Sequence, residues 1–220
     1  MSVEPMIARL RRLARLTALA GALLALPTAA QAAKPAALSA ADKADIARVE
    51  GYLNGIGTLQ ARFLQVAPDG TYAEGTVYLS RPGRMRLDYD PPVPILVVAN
   101  GHFLIYHDKE LKQTSYVGLD QTPAGILLRS QVKLDGGKDI RVVAVERGAS
   151  VLNVTLRQPD GANGDLVLVF SDSPFALKQW KVIDPQGAVT QVSLFQTQTN
   201  LAVDPRKFDF TEPPPGPGGR

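Results

Sequence analysis

The sequence predicts a mainly β protein, with about eleven short strands in one curved antiparallel sheet or barrel, preceded by a single helix. Three observations lead there. The hydrophobic repeat changes from a period near 3.6 to a period of 2 after Gly57 and holds that rhythm. Turn signals such as Pro68-Asp69-Gly70, Pro82-Gly83, Asn100-Gly101, Arg147-Gly148, Ser173-Pro174 and Pro185-Gln186-Gly187 cut the remainder into runs too short for helices. One segment, Thr122 to Leu128, is apolar without alternating and stands apart from the rest.

The elements follow in chain order. Arg9, Arg11, Arg12 and Arg15 lead into an apolar run from Leu16 to Leu26, Pro27 breaks it, and Ala30-Gln31-Ala32 has A-x-A form. That order is a secretory signal peptide, and its apolar part is too short to span a bilayer. Residues 1–32 are therefore expected to be removed by cleavage after Ala32. Lys34 to Leu38 reads as a short linker. Ser39-Ala40-Ala41-Asp42 has the form of a capping box, and Ile46, Val49 and Leu53 recur at helical spacing, so a helix is predicted to end near Asn54-Gly55.

Leu59, Ala61 and Phe63 then alternate with polar neighbours, and Tyr72 to Arg81 forms the next run. Arg84 to Asp90 alternates charged and apolar residues without a miss, which gives a strand with one wet face and one apolar face. Ile95 to Ala99, the Asn100-Gly101 hairpin signal and Phe103 to Tyr106 follow, and further strands are readable at 112–117, 139–147, 151–158, 165–171, 176–184 and 188–197. Thr122 as N-cap and Pro123 at the first helical position begin a short helix. Its Ile126, Leu127 and Leu128 need an apolar surface, and the surface at hand is the mouth or concave face of the sheet. Residues 33–211 are expected to form one domain, and the Pro/Gly-rich residues 212–220 a disordered tail.

Charge and composition exclude several classes. The formal net charge of +3 comes from 24 basic and 21 acidic side chains, and residues 1–32 hold four arginines against one glutamate. The remainder is neutral overall, so the basic balance is no nucleic-acid footprint. The absence of cysteine leaves stability to packing and sheet hydrogen bonds, and leaves no residue for N-terminal lipid modification. A soluble, unanchored monomer without cofactor is expected. No catalytic constellation is visible: there is no cysteine nucleophile, no G-x-S-x-G elbow and no phosphate-binding glycine loop. His102 and His107 are five residues apart about one strand, on opposite faces, and make no simple metal site. Asp88 and Asp90 share a face but alternate with Arg84 and Arg86, which reads as a solvated charge ladder.

Arg81 is the informative residue. A period of 2 puts it on the apolar face with Val77 and Leu79. It is either an exposed turn arginine before Pro82-Gly83, or an inward guanidinium that needs acceptors, for which the terminal carbonyls of a short helix are suited.

The run Gly75-Thr76-Val77-Tyr78-Leu79-Ser80-Arg81-Pro82-Gly83-Arg84-Met85-Arg86-Leu87-Asp88-Tyr89 resembles the signature of the outer-membrane lipoprotein carrier (LolA) family. The likeness continues through Pro91-Pro92, Val97 to Gly101, Tyr106, Gln113, Thr122-Pro123, Trp180, Asp184, Gln186, Gly187 and the closing Phe208-Asp209-Phe210 with Pro213. It implies a LolA/LolB-like fold: an incomplete antiparallel β-barrel of about eleven strands with a helical lid over a hydrophobic cavity. It also implies that Arg81 latches the lid, that Val77, Leu79, Met85, Leu87 and Tyr89 line the lipid-binding cavity, and that Thr122, Pro123, Ile126, Leu127 and Leu128 form the lid. Met85 and Leu87 depart from the family's usual aromatic pair and give a softer wall. The implied activity is a periplasmic chaperone for lipoproteins, bound through their acyl chains. The implied partners are an ATP-driven releasing transporter (LolCDE) and an outer-membrane acceptor (LolB). The rival readings are the acceptor itself, which needs an N-terminal cysteine; a related carrier of another amphiphile such as a glycolipid; and an exported hydrolase.

Overall fold

The computed structural model describes residues 38–212 apart from residues 135 and 160. The signal-peptide expectation for residues 1–32, and most of the expected tail, lie outside the described residues.

Helix α1 (Ala40–Asn54) starts at the predicted capping box: the Ser39 hydroxyl accepts the Asp42 N–H at 3.1 Å, and the Asp42 carboxylate accepts the Ser39 N–H at 2.8 Å. Gly55 caps its other end, in the right-handed region at φ −74°, so the glycine is not there to supply a left-handed turn. Ile46, Val49 and Leu53 form the buried stripe. Polar contacts fix how the helix lies: Arg147 pairs with Asp42 and Asp45, Arg48 pairs with Asp172, and the Tyr52 ring meets Phe170 and Phe175 edge-on.

Six strands follow as a meander: β1 (Thr58–Val66), β2 (Tyr72–Ser80), β3 (Arg84–Tyr89), β4 (Ile95–Asn100), β5 (Phe103–Asp108) and β6 (Gln113–Gly118). The crossover from Leu119 to Ile140 carries two short 3-10 helices, Leu119–Gln121 and Pro123–Leu128. A second meander completes the sheet: β7 (Arg141–Arg147), β8 (Val151–Arg157), β9 (Asp165–Asp172), β10 (Phe175–Ile183) and β11 (Val189–Thr199). All pairings are antiparallel, and β11 returns to β1, so the order is β6-β5-β4-β3-β2-β1-β11-β10-β9-β8-β7. The edges β6 and β7 do not pair with each other, so the sheet does not close into a barrel. No helix among the described residues is long and apolar enough to cross a membrane.

The pleat sorts side chains to two faces. Leu59, Ala61 and Phe63 of β1 share the inner core with Leu152, Val154 and Leu156 of β8, with Leu166, Leu168 and Phe170 of β9, and with α1. The outer face of β4 and β5 is also apolar. Leu96, Val98 and Ile105 are buried there, outside the main core, beneath the chain's last described segment. The 3-10 helix Pro205–Phe208 packs against β3 and β4, Phe208 is buried, and Phe210 meets His107 and Tyr116. This cover changes the expected wet face of β3. Arg84 stands over the Phe208 ring, and Arg86 donates to the Lys207 carbonyl at 3.1 Å while pairing with Asp88. The charge ladder is therefore partly roofed, and Asp90 turns to Arg62 instead of to its own strand.

Candidate functional site

The site begins at the end of β2. Val77 and Leu79 point inward, and Arg81 follows on the same face. The two sequence readings of Arg81 are resolved by its contacts. Its Nε donates to the Ile56 carbonyl at 3.0 Å and its Nη1 donates to the Arg129 carbonyl at 3.2 Å. Arg129 is the C-cap of the 123–128 helix, so the acceptor is one of the helix-end carbonyls that lack an intrahelical donor. The second acceptor lies just past the end of α1. Arg81 thus bridges two elements, where the sequence suggested only one. Burial pulls its guanidinium below the ordinary arginine value, and no acidic side chain offsets that desolvation.

The Pro82-Gly83 turn adds a backbone tie, with the Gly83 N–H donating to the Leu128 carbonyl at 2.7 Å. Only glycine fits there: φ is +77°, and a Cβ would stand 2.8 Å from the Gly101 Cα in the neighbouring hairpin.

The 123–128 helix forms as its residues predict, in 3-10 geometry. The Thr122 hydroxyl accepts the Gly125 N–H at 3.2 Å and donates to the Leu119 carbonyl at 3.0 Å, and Pro123 sits at the first position. Gly125 permits the close approach of Leu119, whose carbonyl oxygen a Cβ would meet at 2.1 Å. Ile126, Leu127 and Leu128 are all buried.

Of these, Leu127 faces the wall formed by Val77, Leu79 and Met85, with Arg81 at its rim. Leu53 and Ile56 at the end of α1, Leu59 of β1, and Leu177 and Trp180 of β10 complete the chamber. These five were visible in the sequence as apolar positions, but nothing local says that strands 100 residues apart share a wall. Leu87 and Tyr89 continue the wall along β3. Tyr89 meets Phe63 edge-on and donates its hydroxyl to Gln65 Oε1 at 2.8 Å. Ile126 and Leu128 pack in the same core but also border an open groove of about 620 Å3 beside Pro82, His102 and Gln158.

The expected hydrophobic cavity is filled in this structure. The chamber between Leu127 and the wall leaves about 20 Å3, close to the room for one water, whereas pockets that bury a ligand span about 300–1,000 Å3. The side chains of α1 and the 123–128 helix occupy the space. His107 is buried on the outer face with Nδ1 3.0 Å from the Thr114 hydroxyl, and His102 sits exposed in the β4–β5 turn. Among the described residues no three His, Cys, Asp or Glu side chains gather as a metal site.

The family model described as "Outer membrane lipoprotein carrier protein LolA" matches residues 54–211. A protein of Azotobacter vinelandii named outer-membrane lipoprotein carrier protein is 31% identical over 182 residues, spanning 78% of this chain and 86% of that one. The protein of the same name from Pseudomonas aeruginosa is 29% identical over 182 residues, spanning 79% and 86%. Among solved structures, a LolA superfamily protein from Nitrosomonas europaea superposes over 75% of this chain and 97% of its own, with a TM-score of 0.42 at 10% identity. The match runs through α1's end, the Arg81 turn, the 123–128 helix and the closing phenylalanines, and the chain belongs to the outer-membrane lipoprotein carrier (LolA) family.

Proposed function

We propose that this protein is a periplasmic carrier that takes up the acyl chains of lipoproteins released from the inner membrane and delivers them towards the outer membrane. One observation carries the reading: an apolar wall (Val77, Leu79, Met85, Leu87, Tyr89) is capped by a short greasy helix whose end carbonyl is held by a single arginine. Membership of a family whose relatives are named lipoprotein carriers supports it. In this reading residues 1–32 direct export, Thr122 to Leu128 form the lid, and Arg81 is its latch. The protein does no catalysis. Its partners are the lipoproteins, a releasing transporter (LolCDE) and an outer-membrane acceptor (LolB).

The physics suits shuttling. A buried acyl chain gains about 0.8 kcal/mol per methylene, so a chain of roughly 16 carbons is worth on the order of 10 kcal/mol. A carrier keeping all of that would not let go. Because the chamber is filled when closed, entry of an acyl chain must displace Leu127 and break the Arg81 bond to Arg129, and closing returns both. Closure thus competes with cargo and lowers net affinity, which lets handover run downhill.

Mass spectrometry of the protein purified from the periplasm without detergent tests the cargo. Co-purifying triacylated lipoproteins are expected. Recovery of a free glycolipid alone would overturn lipoproteins as the cargo.

A further inference from the structure

Three residues beyond the carbonyl that Arg81 holds, the chain is fastened again, this time by a side chain of α1. Asn54 Oδ1 accepts the Val132 N–H at 2.8 Å, and Asn54 Nδ2 donates to the Val132 carbonyl at 2.9 Å. One side-chain amide thereby meets both backbone groups of a single residue, as a neighbouring strand would. One helical turn earlier, Glu50 Oε1 accepts the Leu134 N–H, and its other oxygen lies 3.5 Å from Lys133 Nζ. The side chains of Val132 and Leu134 are buried in the main core, so these backbone groups are drawn in with them and need partners inside the protein.

Breaking the upstream ties, the Arg81 bond to Arg129 and the Gly83 N–H bond to the Leu128 carbonyl, therefore frees that end only. Three residues of chain reach about 10 Å when extended, so the helix could shift yet stay moored at Val132. We propose that Asn54 is a second lid latch, and that the chamber opens fully only when the Asn54–Val132 pair and the Arg81–Arg129 bond both release. Because Arg81 also holds Ile56, both latches work from the same end of α1, which becomes the fixed post against which the lid closes. This inference rests on the lid motion proposed above, and it makes Asn54 a positioning residue rather than one that touches cargo.

The cysteine-free chain allows a direct readout without any ligand. Leu127→Cys places a single thiol in the closed chamber, and its alkylation rate reports opening. In this background Asn54→Leu and Arg81→Leu should each speed alkylation about tenfold, as loss of a latch of this kind implies. The double variant should approach the product of the two, because the latches are broken in series. Asn54→Asp keeps the acceptor for the Val132 N–H but loses the donor, and should fall between wild type and Asn54→Leu. A second reporter, Val98→Cys under the C-terminal segment, should keep its wild-type rate in every variant. An unchanged Leu127→Cys rate in Asn54→Leu would overturn the proposal, and so would an equal acceleration at Val98→Cys, which means general loosening. Since no cargo is present, the outcome is readable whether or not lipoproteins prove to be the ligand.

Discussion

Replacing Arg81 by leucine separates loading from release. The substitution deletes two charge-assisted hydrogen bonds, to the Ile56 and Arg129 carbonyls, and leaves both acceptors to find other partners. Hydrogen bonds to charged groups contribute about 1.5–3 kcal/mol each. Ile56 lies at the fixed end of α1, so only the Arg129 bond bears on lid opening, and because Arg81 is only half-buried solvent screening leaves that bond at the low end of the range, about 1.5 kcal/mol. The ratio of closed to open lid should fall roughly tenfold. Leucine also faces the chamber and welcomes an acyl chain. Cargo should therefore load at least as well, dissociate more slowly, and transfer poorly to the outer-membrane acceptor. Arg81→Lys should be intermediate, because an ammonium keeps the charge without the planar fork that reaches two carbonyls at once. The assay loads each variant with a labelled triacylated lipoprotein and follows retention and onward transfer separately. Equal transfer by wild type and Arg81→Leu would refute the latch.

Three further outcomes are expected. Leu87→Glu puts an unpaired carboxylate into the buried wall, at a cost of several kcal/mol; it should lower the melting temperature and abolish binding of a hydrophobic dye that triacylated peptide displaces. Unchanged binding would take Leu87 off the wall. Burial, aided by the charge of an ionised Tyr106, pushes the Tyr89 phenol up to about 12. The neutral phenol is the form the fold favours, so its stability contribution is whole below the ordinary tyrosine value near 10 and is lost as pH rises from there through about 12. Denaturant titrations across that window should show a shallower decline in Tyr89→Phe than in wild type, and identical slopes would remove Tyr89 from the cause. N-terminal sequencing of the exported protein should begin at Ala33, and an intact Met1 would contradict the signal-peptide reading.

Local patterns in the sequence made much of this fold readable. The capping box at Ser39 and the stripe Ile46, Val49, Leu53 set α1 to within a residue of its observed span, because both depend only on near neighbours. Strict alternation in Leu59, Ala61, Phe63 and again in Arg84 to Tyr89 fixed which side chains turn inward, since a slip of one residue would expose the whole set. Period alone left Arg81 ambiguous: a strand end before Pro-Gly looks the same whether a helix end lies over it or not. Its second acceptor, Ile56, was invisible for the same reason, as was Asn54, which reads as a helix terminator until Val132 is seen beside it. The outer cluster of Leu96, Val98, Ile105 and Phe208 escaped because β4 is apolar on both faces, and only the return of the chain's end explains the second one.

The carrier reading stands most directly on one reconstituted transfer. Inner-membrane vesicles releasing a labelled triacylated lipoprotein are mixed with the purified protein, the vesicles are removed, and the supernatant is offered to outer-membrane vesicles bearing the acceptor. The expected result is a one-to-one complex in the supernatant, followed by movement of the label into the acceptor membrane, with no complex formed by the same lipoprotein lacking its acyl chains. Label that stays in the donor vesicles, or an equally abundant complex with the chain-free form, would contradict it.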